Sequence, residues 1–204
     1  MMRELADIRR EEIINACEKL YKTNNFKDIT IKLIGEKTSF SRTSIYNYFE
    51  TKEEIFLALL QREYEKWILD LNNMYNQNDK MTKEDFADKL AHTIETRTNL
   101  LKLLSMNMYD MEENSRMERL VEFKASYGNA IKLIEKLLSK FFPEMTEQEI
   151  NDFLFSFLPL MYGIYPYTFV TEKQKEAMKN ANVPFKYYSI YEMANMGIKK
   201  ILGI

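Results

Sequence analysis

One short pattern recurs along this chain from residue 82 onward: a hydroxyl residue followed three places later by an acid or a glutamine. It occurs at Thr82 with Asp85, Ser115 with Glu118, Thr146 with Glu149 and Thr171 with Gln174. The pair satisfies the free amides of a helix start from both sides, so each instance marks a helix N-terminus. Between the marks apolar residues fall at helical spacing, and no stretch alternates as a strand would. The pattern predicts helices over 82–110 (broken near 96–99), 115–142 and 147–165, and a last one over 187–202 after the "NANVPF" break. Upstream, Ile13, Ala16, Cys17, Leu20 and Tyr21 share one face of a helix over 8–22. Phe56, Leu59, Leu60, Tyr64, Trp67, Ile68 and Leu71 line a longer helix from Thr51 to about Tyr75. At about 1.5 Å per residue that helix would be roughly 35 Å long. With five glycines, four prolines, 46% apolar and 29% charged residues in 204, the chain is expected to be all-α with a sizeable core.

Several function classes fall away on composition. The single cysteine, Cys17, allows no intramolecular disulfide and fits a reducing cytoplasm. The start "MMRELADIRREE" has no apolar core of a secretion signal. Residues 153–171 carry no charge, but Pro159, Pro166 and the tyrosines of this run suit a core or protein–protein helix better than a membrane span. The one histidine, His92, has no cysteine or second histidine near it, and there is no glycine-rich phosphate loop. No metal site, cofactor or enzymatic centre is expected.

The remaining anomaly lies near the N-terminus. Among the predicted internal helices, only those starting at Thr30 and Ser41 lack an acid in the first turn, and both offer a cation there, Lys32 and Arg42. A helix N-terminus carries about half a positive charge, which a carboxylate stabilises and an arginine does not. Left bare, it is an anion site. The two helices are short, adjacent and joined by a tight turn, the geometry of a helix-turn-helix whose second helix enters the DNA major groove. Residues 1–52 hold 10 Lys and Arg against 8 Asp and Glu in a chain of net charge −2, so basic residues lean toward this end. The expected organisation is a DNA-binding domain over 1–50, joined by the long helix to a helical domain over 51–204 for effector binding and dimerisation. The alternative is a helical scaffold that binds only protein, which explains the apolar run at 153–171 but not the cation-led helices.

The stretch "ITIKLIGEKTSFSRTSIYNYFETKEEIF", preceded by "ACEKLYKTNNF", resembles the N-terminal domain of the TetR family of transcriptional repressors. Ser41, Ile45–Tyr46, Tyr48–Phe49 and Thr51–Lys52–Glu53 carry most of the likeness. It implies a dimeric, cytoplasmic repressor with a three-helix head and a helical body that often binds a small effector that releases the DNA. Carried over, Thr30 contacts phosphate from the second helix. Ser41, Arg42, Thr43, Tyr46 and Asn47 face the groove, and Tyr48 and Lys52 grip flanking phosphates. The residue types suit base reading, since arginine pairs with guanine, asparagine with adenine, and a threonine methyl meets the thymine methyl. Ile45 and Phe49 point to the core. The family usually has glycine in the turn between the two helices where this chain has Ser39, and a non-glycine residue at positive φ costs roughly 1 kcal/mol.

Beyond residue 75 the resemblance is to the body plan alone, although "YDMEENSRMERLVEFK" (109–124) resembles one branch of the family. The plainer reading of that segment is a solvated loop and a charged helix start. The apolar run and the last helix, with Ile190, Tyr191, Met193, Ala194, Ile198 and Ile201, are expected to build a homodimer. An apolar effector is expected among Tyr64, Trp67, Met106, Phe123, Tyr127, Met161, Tyr162 and Tyr165, because methionine adapts to irregular cavities and tyrosine supplies polar handles. The expected double-stranded DNA partner is a palindromic operator.

Overall fold

The structure, a computed structural model, describes residues 2–106 and 108–204, with side chains from residue 5 onward. Every regular element among them is helical: α1 (Met2–Tyr21), α2 (Ile31–Gly35), α3 (Arg42–Ile45), α4 (Lys52–Asn76), α5 (Lys83–Glu95), α6 (Thr98–Leu104), α7 (Met108–Glu113), α8 (Met117–Phe141), α9 (Glu147–Thr168), α10 (Glu172–Asn180) and α11 (Ile190–Ile201). The expected break near 96–99 is present between α5 and α6. A second separates α6 from α7, with Asn107 outside the described residues.

Three of the four capping boxes form, at Thr82, Thr146 and Thr171, each with both reciprocal hydrogen bonds. The fourth does not. Ser115 turns its hydroxyl back to the Met111 carbonyl at 2.7 Å, closing α7, and α8 starts two residues later. Ser189 with Glu192 makes a further box that the sequence pattern left unmarked, so the last helix starts at Ile190 rather than near 187. The acid-free start is also less exclusive than expected, because α6 lacks a first-turn acid as well. Exposure, not the missing acid alone, sets α3 apart.

The chain divides into two compact units, Met1–Tyr64 with Asn107–Tyr127 (the head) and Glu65–Met106 with Gly128–Ile204 (the body). This differs from a boundary at 50/51, because α7 and the first turns of α8 belong with the head.

In the head, α1 buries Ile13, Ile14, Ala16, Cys17 and Tyr21, the helical-period face, over Ile29, Ile34, Ile45 and Phe49. Phe56 of α4 takes Tyr21 and Phe26 edge-on at 5.2 and 4.7 Å. In the body, Phe86 of α5 meets Phe141, Phe142 and Phe153 at 5.3 to 6.3 Å. Trp67 lies 6.3 Å from Phe157, and its indole donates to Thr93 Oγ1 at 2.9 Å. α9 crosses α11 so closely that a Cβ on Gly197 would lie 2.4 Å from Leu160 Cδ2. No single helix among the described residues is long and apolar enough to cross a membrane.

Candidate DNA interface

Helices of five and four residues are too short to stand on their own hydrogen bonds, so α2 and α3 need outside brackets. Thr30 caps α2, its hydroxyl accepting from the Leu33 amide at 3.2 Å. The entry to α2 is held by Lys52, whose ammonium donates to the Phe26 and Ile29 carbonyls at 3.0 and 3.2 Å and lies 4.1 Å from the Phe26 ring centre. The turn between the helices spans residues 36–41, longer than expected. Ser39 is not strained: among the described residues Asn182 is the only non-glycine at positive φ. Ser39 instead gives its amide and, at 3.0 Å, its hydroxyl to the Glu12 carboxylate of α1. Gly35 lets the pair close up, since a Cβ there would sit 3.3 Å from Arg42 Cα, tighter than ordinary van der Waals contact.

This bracketing turns one side of the recognition segment outward. Ser41, Arg42, Thr43, Tyr46 and Asn47 are all exposed, while Ile45 and Phe49 are fully buried beneath them. Ser41 stands at the N-cap position without capping, its hydroxyl paired with that of Ser44 at 3.0 Å. The α3 amides are therefore left open at a start with no carboxylate, as anion binding requires. Arg42 leans toward Tyr46, with Nη2 3.3 Å from the phenol oxygen. Lys32 and Thr30 are exposed, and the Thr30 hydroxyl keeps its proton to donate.

Two expected phosphate contacts are placed differently. The Lys52 ammonium points inward to the two carbonyls, making it a brace first. Tyr48 is half-buried beside Phe40, and its carbonyl accepts from Arg116 at 3.4 Å and Arg119 at 3.3 Å.

Those two arginines are what sequence reasoning missed. Residues 109–124 are not a solvated loop: Arg116 binds both oxygens of Glu54, at 2.7 and 2.8 Å, and its amide adds a third bond at 3.0 Å. Glu54 is 0% exposed. Burial pushes its carboxyl up, but the Arg116 side chain and the Glu50 and Arg116 amides outweigh that and hold it below the usual carboxylate value. The same contacts push the Arg116 guanidinium above its ordinary value. Arg116 also reaches Glu50 at 3.3 Å, balancing the acid that follows the recognition segment. Thr51 donates to the Asn114 carbonyl at 2.9 Å, and Glu122 joins Arg119 to Arg10 at 2.8–2.9 Å. A readable signal existed. Residues 55–60, Ile-Phe-Leu-Ala-Leu-Leu, are apolar on every side of the helix, so an acid beside them had to be covered.

The residues expected around an effector separate between the units. In the head, Tyr64, Phe123 and Tyr127 form a ring cluster with centroids 5.7 to 6.3 Å apart, and burial raises the Tyr127 phenol. In the body, Trp67 and Met161 are fully buried, Met106 is half-buried, and Tyr165 stacks on Phe169 at 4.5 Å. Tyr162 departs from the expectation. One residue past Met161, it lies on the exposed side of α9. Three body grooves, of about 400, 530 and 640 Å³, are lined mainly by polar and charged residues; Asp70, Asn73, Gln77, Asp88 and His92 line the smallest, and Lys132, Glu135, Lys136 and Lys140 the largest.

Comparison with known proteins agrees with this geometry. Residues 13–59 match the family described as bacterial regulatory proteins, tetR family, and residues 61–186, more than half of the chain, match the tetracyclin repressor-like C-terminal domain. A curated HTH-type transcriptional regulator of Bacillus subtilis, YfiR, itself uncharacterised, is 34% identical over 59 residues, covering 29% of each chain. The match thus spans about three-tenths of that relative's length. Two solved structures share the fold: the fatty acid degradation regulator FadR of Bacillus halodurans (TM-score 0.61, 14% identity, 96% and 95% of the two chains covered) and the Bacillus subtilis FadR in complex with stearoyl-CoA (0.61, 15%, 95% and 98%). Thermus thermophilus FadR with lauroyl-CoA is similar at 0.58, with 15% identity and 95% and 93% coverage. This chain belongs to the TetR family of bacterial regulatory proteins, DNA-binding regulators of transcription and not enzymes.

Proposed function

We propose that the protein is a homodimeric repressor whose two heads read the half-sites of a palindromic operator in the cytoplasm. The observation that carries this is the outward row Ser41, Arg42, Thr43, Tyr46 and Asn47 on an acid-free helix start, over a buried Ile45 and Phe49. Arg42 and Asn47 supply base readout, while Thr30 and Lys32 supply phosphate contacts from α2. Lys52 and Tyr48 support the row from beneath, with Lys52 keeping one N–H for a passing phosphate. Selection of bound duplexes from a random pool tests the reading. The expected product is an inverted repeat. Arg42→Ala should cost about 1–3 kcal/mol on the selected site and relax one position per half-site, and Lys32→Ala should weaken all duplexes and lower the salt slope by about one. Unchanged binding by both variants would sink this placement of the interface.

The dimer is built on α9 and α11, as the exposed apolar side of α9 supports. Release follows from an effector with an apolar acyl chain, of the acyl-CoA class. Support comes from the shared fold with proteins solved bound to stearoyl-CoA and lauroyl-CoA, and from the aromatic and methionine content of the body. Acyl-CoAs of graded chain length should raise the melting temperature where free CoA does not, and should displace the selected duplex. A series with no stabilisation and no displacement would reject this effector class while leaving DNA binding intact.

A further inference from the structure

α9 has two apolar sides, and its own chain covers only one. Phe153, Phe157, Met161 and Ile164 are buried in the body. Along the other side run Phe155, Pro159, Tyr162 and Pro166, continuing into Phe169 at the C-cap, all exposed and spaced by three or four residues, with Phe155 76% exposed. Both prolines fall on this open side, where their missing N–H groups leave the freed carbonyls facing out.

Beyond Phe169 the chain turns sharply, and α10 leaves at 84° to α9. None of the nine residues of α10 is buried. A helix of that length is marginal alone in water even with a good cap. The connection after it is nonetheless well formed. Asn182 adopts φ 53, and the Val183 amide returns to the Met178 carbonyl at 2.9 Å. Phe185 stacks on Tyr167 at 6.5 Å and meets Tyr187 at 4.9 Å, while Lys175 lies 5.5 Å over Tyr187. The result is an ordered knob over 167–188 with an aromatic rim and no core. Tyr167, Phe169, Val183 and Tyr187 are about half exposed, apolar surface on this knob that its own chain leaves uncovered.

We propose that residues 167–188 are a dimer arm, whose rim packs on a second copy of this chain as an extension of the open side of α9. This rests on the dimer reading above. Two features select a second copy as the occupant. The rim is continuous with the α9 stripe through Phe169, which stacks on Tyr165, so whatever covers the stripe reaches the rim. The charges of α10 are mixed, Lys173, Lys175 and Lys179 against Glu172 and Glu176, which permits self-association and offers no single-sign field for a nucleic acid or an anionic lipid surface.

The test combines light scattering with photo-crosslinking of the full-length protein. A benzophenone amino acid is placed singly at Val183, at Tyr187 and, as a control outside the arm, at Leu69 of α4, which is also exposed. A dimer with covalent cross-subunit product at 183 and 187, at least tenfold above that at 69, is expected. A dimer with no product at either arm position overturns the arm while the dimer on α9 and α11 stands. Equal product at all three positions overturns it as well, because the arm is then no preferred contact. A monomer at micromolar concentration overturns both.

Discussion

The head and the body are held together by different forces. The head depends on charged side chains that bracket short pieces of backbone: Arg116 on Glu54, Lys52 on two carbonyls, Glu12 on Ser39, and Arg62 on Asn15 and Glu18 at 2.6 Å each. The body depends on rings and aliphatic chains meeting across long, well-capped helices, with Phe86 among three other phenylalanines. The difference follows from helix length. Four- and five-residue helices bury too little to hold themselves, so the head must satisfy exposed backbone with side chains from elsewhere. Long amphipathic helices need only a stripe. One consequence is that the head's stability should depend on pH and the body's on volume.

The largest effect expected is Phe86→Ala, a loss of about 3–5 kcal/mol from the cavity it leaves, read as a shift in the urea midpoint that is similar at pH 7 and pH 5. A strongly pH-dependent loss would break the contrast from the body's side. Next comes Arg116→Ala, which strands a buried carboxylate. The usual cost of 3–5 kcal/mol should fall to about 3 because Arg116 is itself partly exposed. Glu54→Leu with Arg116→Met should recover most of that, and no recovery in the double variant would mean the pair acts otherwise.

The third prediction concerns acid. The folded carboxyl of Glu54 lies below its ordinary value near 4.5, so the stability it adds is present above that pH and drains away as pH falls through the lower, folded value. The body's depressed carboxylates, Glu149 and Glu192, are exposed caps held down by the Thr146 and Ser189 amides. Acid should therefore loosen the head first, seen as amide exchange in α2 and α3 rising below pH 4.5 while α5 and α9 stay protected. Simultaneous loss in both units would erase the distinction. The smallest effect is Thr146→Ala, about 1 kcal/mol from one lost cap, confined to the body by the same exchange measurement.

What was legible in the sequence was local. The boxes at Thr82, Thr146 and Thr171 are complete within four residues, as is the register that buries Ile45 and Phe49 beneath Arg42 and Asn47. Ser115 failed because it lies midway between two helices, and the preceding one took the hydroxyl. What was not legible joins residues far apart in sequence. Glu54 looked like an ordinary first-turn acid, and its partner lies 62 residues away. Ser39 looked like an uncomfortable substitute for glycine until Glu12 supplied the anchor. Lys52 looked like a surface cation because nothing in its neighbourhood names the carbonyls of residues 26 and 29 as its partners.

Gly35 and the row it supports also bear on how such a protein changes. Arg42, Thr43, Tyr46 and Asn47 bury little and brace nothing beneath them, so replacing them leaves the architecture nearly untouched. Gly35 is the reverse: a methyl there lies 3.3 Å from Arg42 Cα and 3.4 Å from Ile45 Cδ1, so the start of the recognition helix would have to give by a few tenths of an ångström. Recognition and foldedness are thus written in separate residues only a few positions apart. A lineage carrying this head can drift to a new operator through viable intermediates, and a designer can randomise 42, 43, 46 and 47 together, provided residue 35 stays glycine.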